Sequence, residues 1–142
     1  MKISLTIISL VIFFLLNMSY LFAQKNYYDE GVNLFNKKKY LESKVKFEKA
    51  IVYNPKSERS YLFLAKIYQN NKNKSEEEKN LNTVLLLNPK NEEAIYLLTL
   101  LEIEKSNFSK AKDLIYKLDS VCEKFCASKK ELEEKLNNSL SK

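Results

Sequence analysis

Histidine and tryptophan are absent from this 142-residue chain, which also has one glycine (Gly31), two prolines (Pro55, Pro89) and one arginine (Arg59). Lack of histidine removes the commonest general base, the commonest metal ligand and every Ser-His or Cys-His nucleophile pair. Turn-rich β folds and glycine-lined phosphate loops have little to build from. The formal charge of +6 is carried by lysine, whereas bidentate reading of bases and phosphates favours arginine. A nucleic-acid partner is therefore not expected, and the lysine and asparagine excess reads as a compositional skew. Leucine, lysine, glutamate and asparagine dominate, which suits helices with polar ends.

The chain opens with Lys2 and an apolar run from Ile3 to Leu16, followed by Asn17 to Gln24 with Ala23 before a polar residue. A basic start, a short apolar middle and a small residue at the exit describe a secretory signal peptide. The expectation is a signal peptide over 1–23, cleavage after Ala23, and a periplasmic or secreted mature chain. Membrane association is expected only if the segment stays uncleaved, because the apolar stretch reaches a spanning length of about 20 residues only by including Asn17 and Ser19.

A long repeat follows. Tyr53-Asn54-Pro55-Lys56-Ser57 recurs as Leu87-Asn88-Pro89-Lys90-Asn91, an offset of 34 residues. The same offset puts Tyr27 on Tyr61 and Ile95, Gly31 on Ala65 and Thr99, and Phe47 on Leu81 and Ile115. Each unit reads as two helices. Tyr27, Gly31 and Leu34 share one face of the first; Leu41, Val45, Phe47, Ala50 and Ile51 are the apolar set of the second, which Pro55 ends. Small residues at Gly31 and Ala65 let two helices approach closely. A lone hairpin cannot cover its own apolar face, so units must stack.

The period, the small residues at Gly31, Ala65, Ser43 and Ala111, the aromatics at Tyr27, Tyr61, Tyr40 and Phe108, and the closing prolines resemble the tetratricopeptide repeat (TPR) family over about residues 24–123. The resemblance implies an all-α solenoid of antiparallel helix pairs with a concave groove for peptides or partner helices. The expected organisation is three units, 24–56, 57–90 and 91–123, and a capping helix with tail over 124–142. Some positions depart from the pattern: Glu77 replaces a small residue, Lys74 and Glu102 replace aromatics, and Glu123 stands where a third proline would close the last unit. The helix after Ser75 is expected to start late, with Ser75 and Glu78 as a capping box.

Ser57 and Asn91 are expected N-caps, and Ser128 with Glu131 a capping box for the last helix. Leu132, Leu136 and Leu140 give that helix one apolar stripe, with fraying from Asn137. Cys122 and Cys126 lie just before it. Two arrangements are open: a disulfide, favoured by export and by a turn between the helices, or two buried thiols packing with Val121 and Phe125. Two sulfurs alone close no metal site, and neither a redox or metal role for the pair nor a cofactor is expected.

In the TPR family the first helix of each pair lines the groove. Carried over through the repeat, this implies a binding surface of Tyr28, Val32 and Phe35, then Leu62, Lys66 and Gln69, then Tyr96, Leu100 and Ile103. Most are apolar, which suits a hydrophobic segment or amphipathic helix. Tyr28 and Val32 take places that are polar in the family's clamp for terminal carboxylates. Ala94 to Leu101 is apolar around nearly the whole helix, more than one core face requires. The function expected is a non-catalytic protein- or peptide-binding adaptor or scaffold of the cell envelope; the alternative is a homo-oligomer paired through the third unit. The carboxylate groups Glu76 to Glu78 and Glu131, Glu133 and Glu134 read as solvated faces rather than acid–base pairs.

Overall fold

The structure, a computed structural model, describes residues 5–141, the side chains of 5–6 and 16–25 excepted. Seven helices run through the described residues, with no strand among them: α1 (Leu5–Asn36), α2 (Tyr40–Tyr53), α3 (Glu58–Asn70), α4 (Lys74–Leu87), α5 (Glu92–Glu104), α6 (Phe108–Val121) and α7 (Ser128–Leu140). They form two compact units, Met1–Ser60 and Tyr61–Lys142, with the boundary inside α3.

The 34-residue period is visible in the backbone. The turns after α1, α3 and α5 each put their middle residue in the left-handed region: Lys38 (φ 59°), Lys72 (φ 56°) and Ser106 (φ 60°). In each, the following amide reaches five residues back, from Lys39 to the Leu34 carbonyl, Asn73 to Tyr68, and Asn107 to Glu102. This is a Schellman closure of the helix end, normally built on glycine. With its one glycine used elsewhere, the chain accepts the left-handed cost at lysine or serine. The links after α2 and α4 also match: Asn54 Oδ1 accepts from the Lys56 amide and Asn88 Oδ1 from the Lys90 amide, both at 3.1 Å. Each proline thus sits in an asparagine-closed turn.

In the first unit α1 packs on α2. A Cβ on Gly31 would come 2.8 Å from Phe47 Cε1, so this crossing admits only glycine without a shift. Ser43 Oγ donates to the Gly31 carbonyl at 2.8 Å. Ser43, Phe47 and Ala50 form the inward face of α2, while Leu41 and Val45 are exposed. The sequence expectation for those two is corrected: each stands two residues from the inward set, about 200° around the helix.

α1 runs unbroken through Ala23–Gln24, so the boundary expected there is no break in the backbone. Residues 1–4 of the expected signal peptide, and the side chains around the expected cut, lie outside the described residues. The stretch Ile7 to Leu15 is exposed on all sides. Among the described residues, no helix is long and apolar enough to cross a membrane.

The second unit is built around α5, which packs against α4, α6 and α7, and α6 also meets α7. Leu81, Val84, Ile95, Leu98, Leu118 and Leu132 fill its core. Ala94, Ile95, Leu98 and Leu101 of α5 are buried within the unit, while Tyr96, Leu97 and Leu100 stay half-buried. α4 starts on time at Lys74: Asn73, not Ser75, is the N-cap, accepting from the Glu76 amide at 3.2 Å. Asn91 caps α5 through the Ala94 amide at 2.9 Å. The Ser57 hydroxyl, just before α3, shares a hydrogen bond with the Ser60 hydroxyl (2.8 Å). The capping box at Ser128 does not form, because Ser128 is already helical and Glu131 turns to Lys135 at 3.0 Å. α7 continues to Leu140; Leu132 and Leu136 are buried and Leu140 is exposed.

Candidate partner-binding surface

In the first unit Tyr28, Val32 and Phe35 are all half-buried on the first helix of the hairpin. The Tyr28 ring lies 5.8 Å from Phe47, and burial raises its hydroxyl pKa against the pull of Arg59. Phe35 meets Tyr40 edge-on at 5.4 Å. Tyr27 stacks on Tyr53 at 5.6 Å, with the ammonium groups of Lys46 and Lys49 within 5.6 Å of its ring centre. These aromatics have one face on the hairpin and part of the other in water, as contact residues do.

In the second unit the expected set divides. Leu62 and Ile103 are only 8% exposed and belong to the hydrophobic core. They offer no surface, which corrects their assignment. Lys66, Leu100 and Tyr96 are half-buried and Gln69 is exposed. Lys66 is ion-paired to Glu93 at 2.5 Å and lies 5.1 Å from the Phe63 ring centre, so its charge is already engaged. Tyr96 is also engaged: its hydroxyl donates to Glu131 at 3.2 Å, and its ring lies 5.6 Å from Phe125.

Gln69 leads to a feature that repeat reasoning missed. It lines a cleft of about 300 Å³ with Lys72, Lys74, Glu77, Leu101 and Glu104. Glu77, expected on a solvated face, is 4% exposed. Burial, with the like charge of Glu104 second, lifts its pKa to about 7; hydrogen bonding to Gln69 and the charge of Lys74 oppose this. Lys74 is itself paired to Glu104 at 3.2 Å.

A second buried group stands on another departure from the repeat. Glu102 is fully buried, and its carboxylate accepts from Lys110 at 2.6 Å and Asn107 at 2.7 Å. Glu78 accepts from Lys105 at 2.5 Å and Lys110 at 3.1 Å. The hydrogen bond from Lys105 is the main reason its pKa falls to about 2. This network ties α4, α5 and α6 together. Its carboxylates are matched by ammonium groups, a structural rather than an acid–base arrangement. A signal was in the sequence: Glu77 and Glu102 are two of the four positions where the repeat pattern fails.

At the end of α6 the asparagine-proline turn is missing. The Cys122 and Cys126 sulfurs are joined there in a disulfide, with Cα atoms 5.2 Å apart. Glu92, in the first turn of α5, accepts from the amides of Lys124 (2.9 Å) and Phe125 (2.7 Å) in that loop. The Phe125 amide is the chief cause of the lowered Glu92 pKa.

Helix hairpins at a 34-residue period, with matched turns and a terminal covering helix, define a class of fold: a helical repeat of the tetratricopeptide type. Solved structures agree on the fold. The TPR domain of Arabidopsis OM64 matches with a TM-score of 0.76 at 15% identity, over 84% of this chain and 98% of that one. The first TPR of Spaghetti (RPAP3), bound to the HSP90 peptide SRMEEVD, matches at 0.74 and 17% identity, over 84% and 94%. The TPR2B domain of yeast Sti1, in its pHsp70 complex, matches at 0.72 and 15% identity, over 84% and 98%. No protein-family model and no curated protein matches the sequence.

Proposed function

We propose that this protein is a non-catalytic, peptide-binding adaptor or assembly scaffold that acts in the cell envelope after export. The observation that carries the reading is the fold's likeness to one TPR domain solved with an HSP90 peptide and another solved in a pHsp70 complex. The half-buried side chains of first-of-pair helices support it: Tyr28, Val32 and Phe35 on α1, and Leu100 on α5. Such residues gain apolar contact when a ligand covers them, at little ordering cost, because the helix already holds them. Export rests on the basic start and apolar run of the first 23 residues. The reading uses neither metal nor cofactor and assigns no reaction to the carboxylates.

The test is crosslinking in whole cells followed by affinity capture, with Tyr28→Ala, Phe35→Ala and Leu100→Ala beside the parent chain. The expected result is a partner lost by about tenfold or more in at least one variant of unchanged helicity, as for a contact worth roughly 1.4 kcal/mol. Equal recovery in all three variants rejects the surface. Recovery of the tagged chain from the cytosol alone rejects the envelope assignment.

A further inference from the structure

The end of the third hairpin is closed by a clasp. The Cys122–Cys126 disulfide holds a tight loop, and Glu92 of α5 grips that loop through two amides. Phe125 from the loop covers the Tyr96 ring, and the Tyr96 hydroxyl donates to Glu131 of α7. Lys129 at the start of α7 is paired to Asp119 of α6 at 2.9 Å. Beyond these contacts α7 buries only Leu132 and Leu136. A 13-residue helix with two buried leucines is marginal alone, and its polar links lie at the exposed surface, where each contributes little. Its seating therefore depends on the loop that delivers it.

We propose that the Cys122–Cys126 loop is a redox-held latch that seats α7 on α5 and α6, and that reduction frees this face for an amphipathic partner helix carrying leucines four residues apart among acidic and basic neighbours. The occupant's chemistry is read from α7 itself, the helix now seated there. The step is a two-electron thiol–disulfide exchange with a dithiol reductant. One thiolate of the reductant attacks the Cys126 sulfur, on the exposed residue of the pair. A mixed disulfide forms, and Cys122 leaves as a thiolate that takes a proton. The reductant's second thiol closes on the first, releasing Cys126 as a thiol and leaving the reductant as its cyclic disulfide. The loop loses its constraint, and the grip of Glu92 and the cover of Phe125 over Tyr96 loosen with it. The latch stands whether or not the peptide-adaptor reading holds, because none of the three variants used to test that reading lies in it.

Hydrogen–deuterium exchange on the full chain, oxidised and then with excess dithiothreitol, tests the latch. Amides of α7 around Leu132 and Leu136 are expected to exchange about tenfold faster or more on reduction, with those at Leu98 to Leu101 unchanged. A fluorescent peptide copying residues 128–140 is expected to bind the reduced chain and not the oxidised one. The double variant Cys122→Ser/Cys126→Ser should behave as the reduced chain without reductant; the wild-type comparison stands alone if that variant fails to fold. Equal α7 exchange in both redox states overturns the proposal, as does peptide binding indifferent to redox state.

Discussion

In the first unit, Phe47 is the one large side chain fully buried among the described residues, close against Gly31 and on the inward face it shares with Ser43 and Ala50, while Tyr27, Tyr28, Phe35 and Tyr40 stay half-buried. In the second, α5 is wrapped by three other helices, and a continuous aliphatic core is accompanied by buried carboxylates and a disulfide. One repeat pattern has produced both. A single hairpin has only one internal seam, so its order depends on the fit at one crossing. A central helix with neighbours on several sides spreads its stability over many contacts and has interior space in which charges must be paired.

The sharpest way to break that contrast is Phe47→Ala. It removes the one large buried side chain of the first unit, and the expected loss is about 3–5 kcal/mol. Urea denaturation should give the size, and hydrogen exchange should show the loss concentrated in α1 after Tyr27 and in α2. Equal acceleration at Leu98 and Leu118 would mean that the seam is not local. In the second unit the matching probe is Lys110→Met, which leaves Glu102 buried with Asn107 and the more distant Lys105. Lys110 is 44% exposed, so water can reach part of the site, and the expected cost is about 2 kcal/mol. A loss below 0.5 kcal/mol, roughly the scatter of a surface substitution, would show that the network is ornamental to stability.

Gly31→Ala sets two effects against each other. Alanine in a helix gains about 1 kcal/mol over glycine, but its Cβ would sit 2.8 Å from a buried ring, and overpacking costs about 1–3 kcal/mol. The net expectation is a loss of about 1 kcal/mol by thermal denaturation. A gain would show that the ring of Phe47 moves freely, contrary to its complete burial.

Much of the architecture could be read from the chain because period and punctuation are local. Pro55 and Pro89 mark their turns through missing amide hydrogens, and the left-handed residues Lys38, Lys72 and Ser106 keep the same 34-residue spacing. Which side of a helix faces inward was less legible. Leu41 and Val45 are as apolar as Phe47 but lie on the wrong side of α2. Leu62 and Ile103 share helix stripes with Lys66 and Leu100, yet neighbouring helices cover them. The burial of Glu77 and Glu102 could not be read locally either, since partners such as Gln69 and Lys110 come from other helices. Their mismatch with the repeat was visible, but its meaning depended on packing.

Glu77 gives the effect most specific to the second unit, and one that vanishes at low pH. Its folded pKa of about 7 lies above the ordinary 4.5 because burial disfavours the charged form. Between those two values the folded chain holds the proton more tightly than the unfolded chain. Stability contributed by the neutral carboxyl is therefore complete below about pH 4.5 and is lost as pH rises to about 7. Glu78 runs the other way: with a folded pKa of about 2, its contribution is present above about pH 4.5 and is lost as pH falls toward 2. Glu77→Gln keeps the shape and removes only the first of these slopes. At pH 8 the variant should be more stable than the parent by up to about 3 kcal/mol, the rise from 4.5 to about 7 taken at about 1.4 kcal/mol per pH unit, and at pH 4.5 the difference should nearly vanish. Denaturant midpoints across pH 4–8 measure it. A parent and variant with parallel profiles would show that Glu77 meets water in solution, and that this end of the second unit is as open as the first.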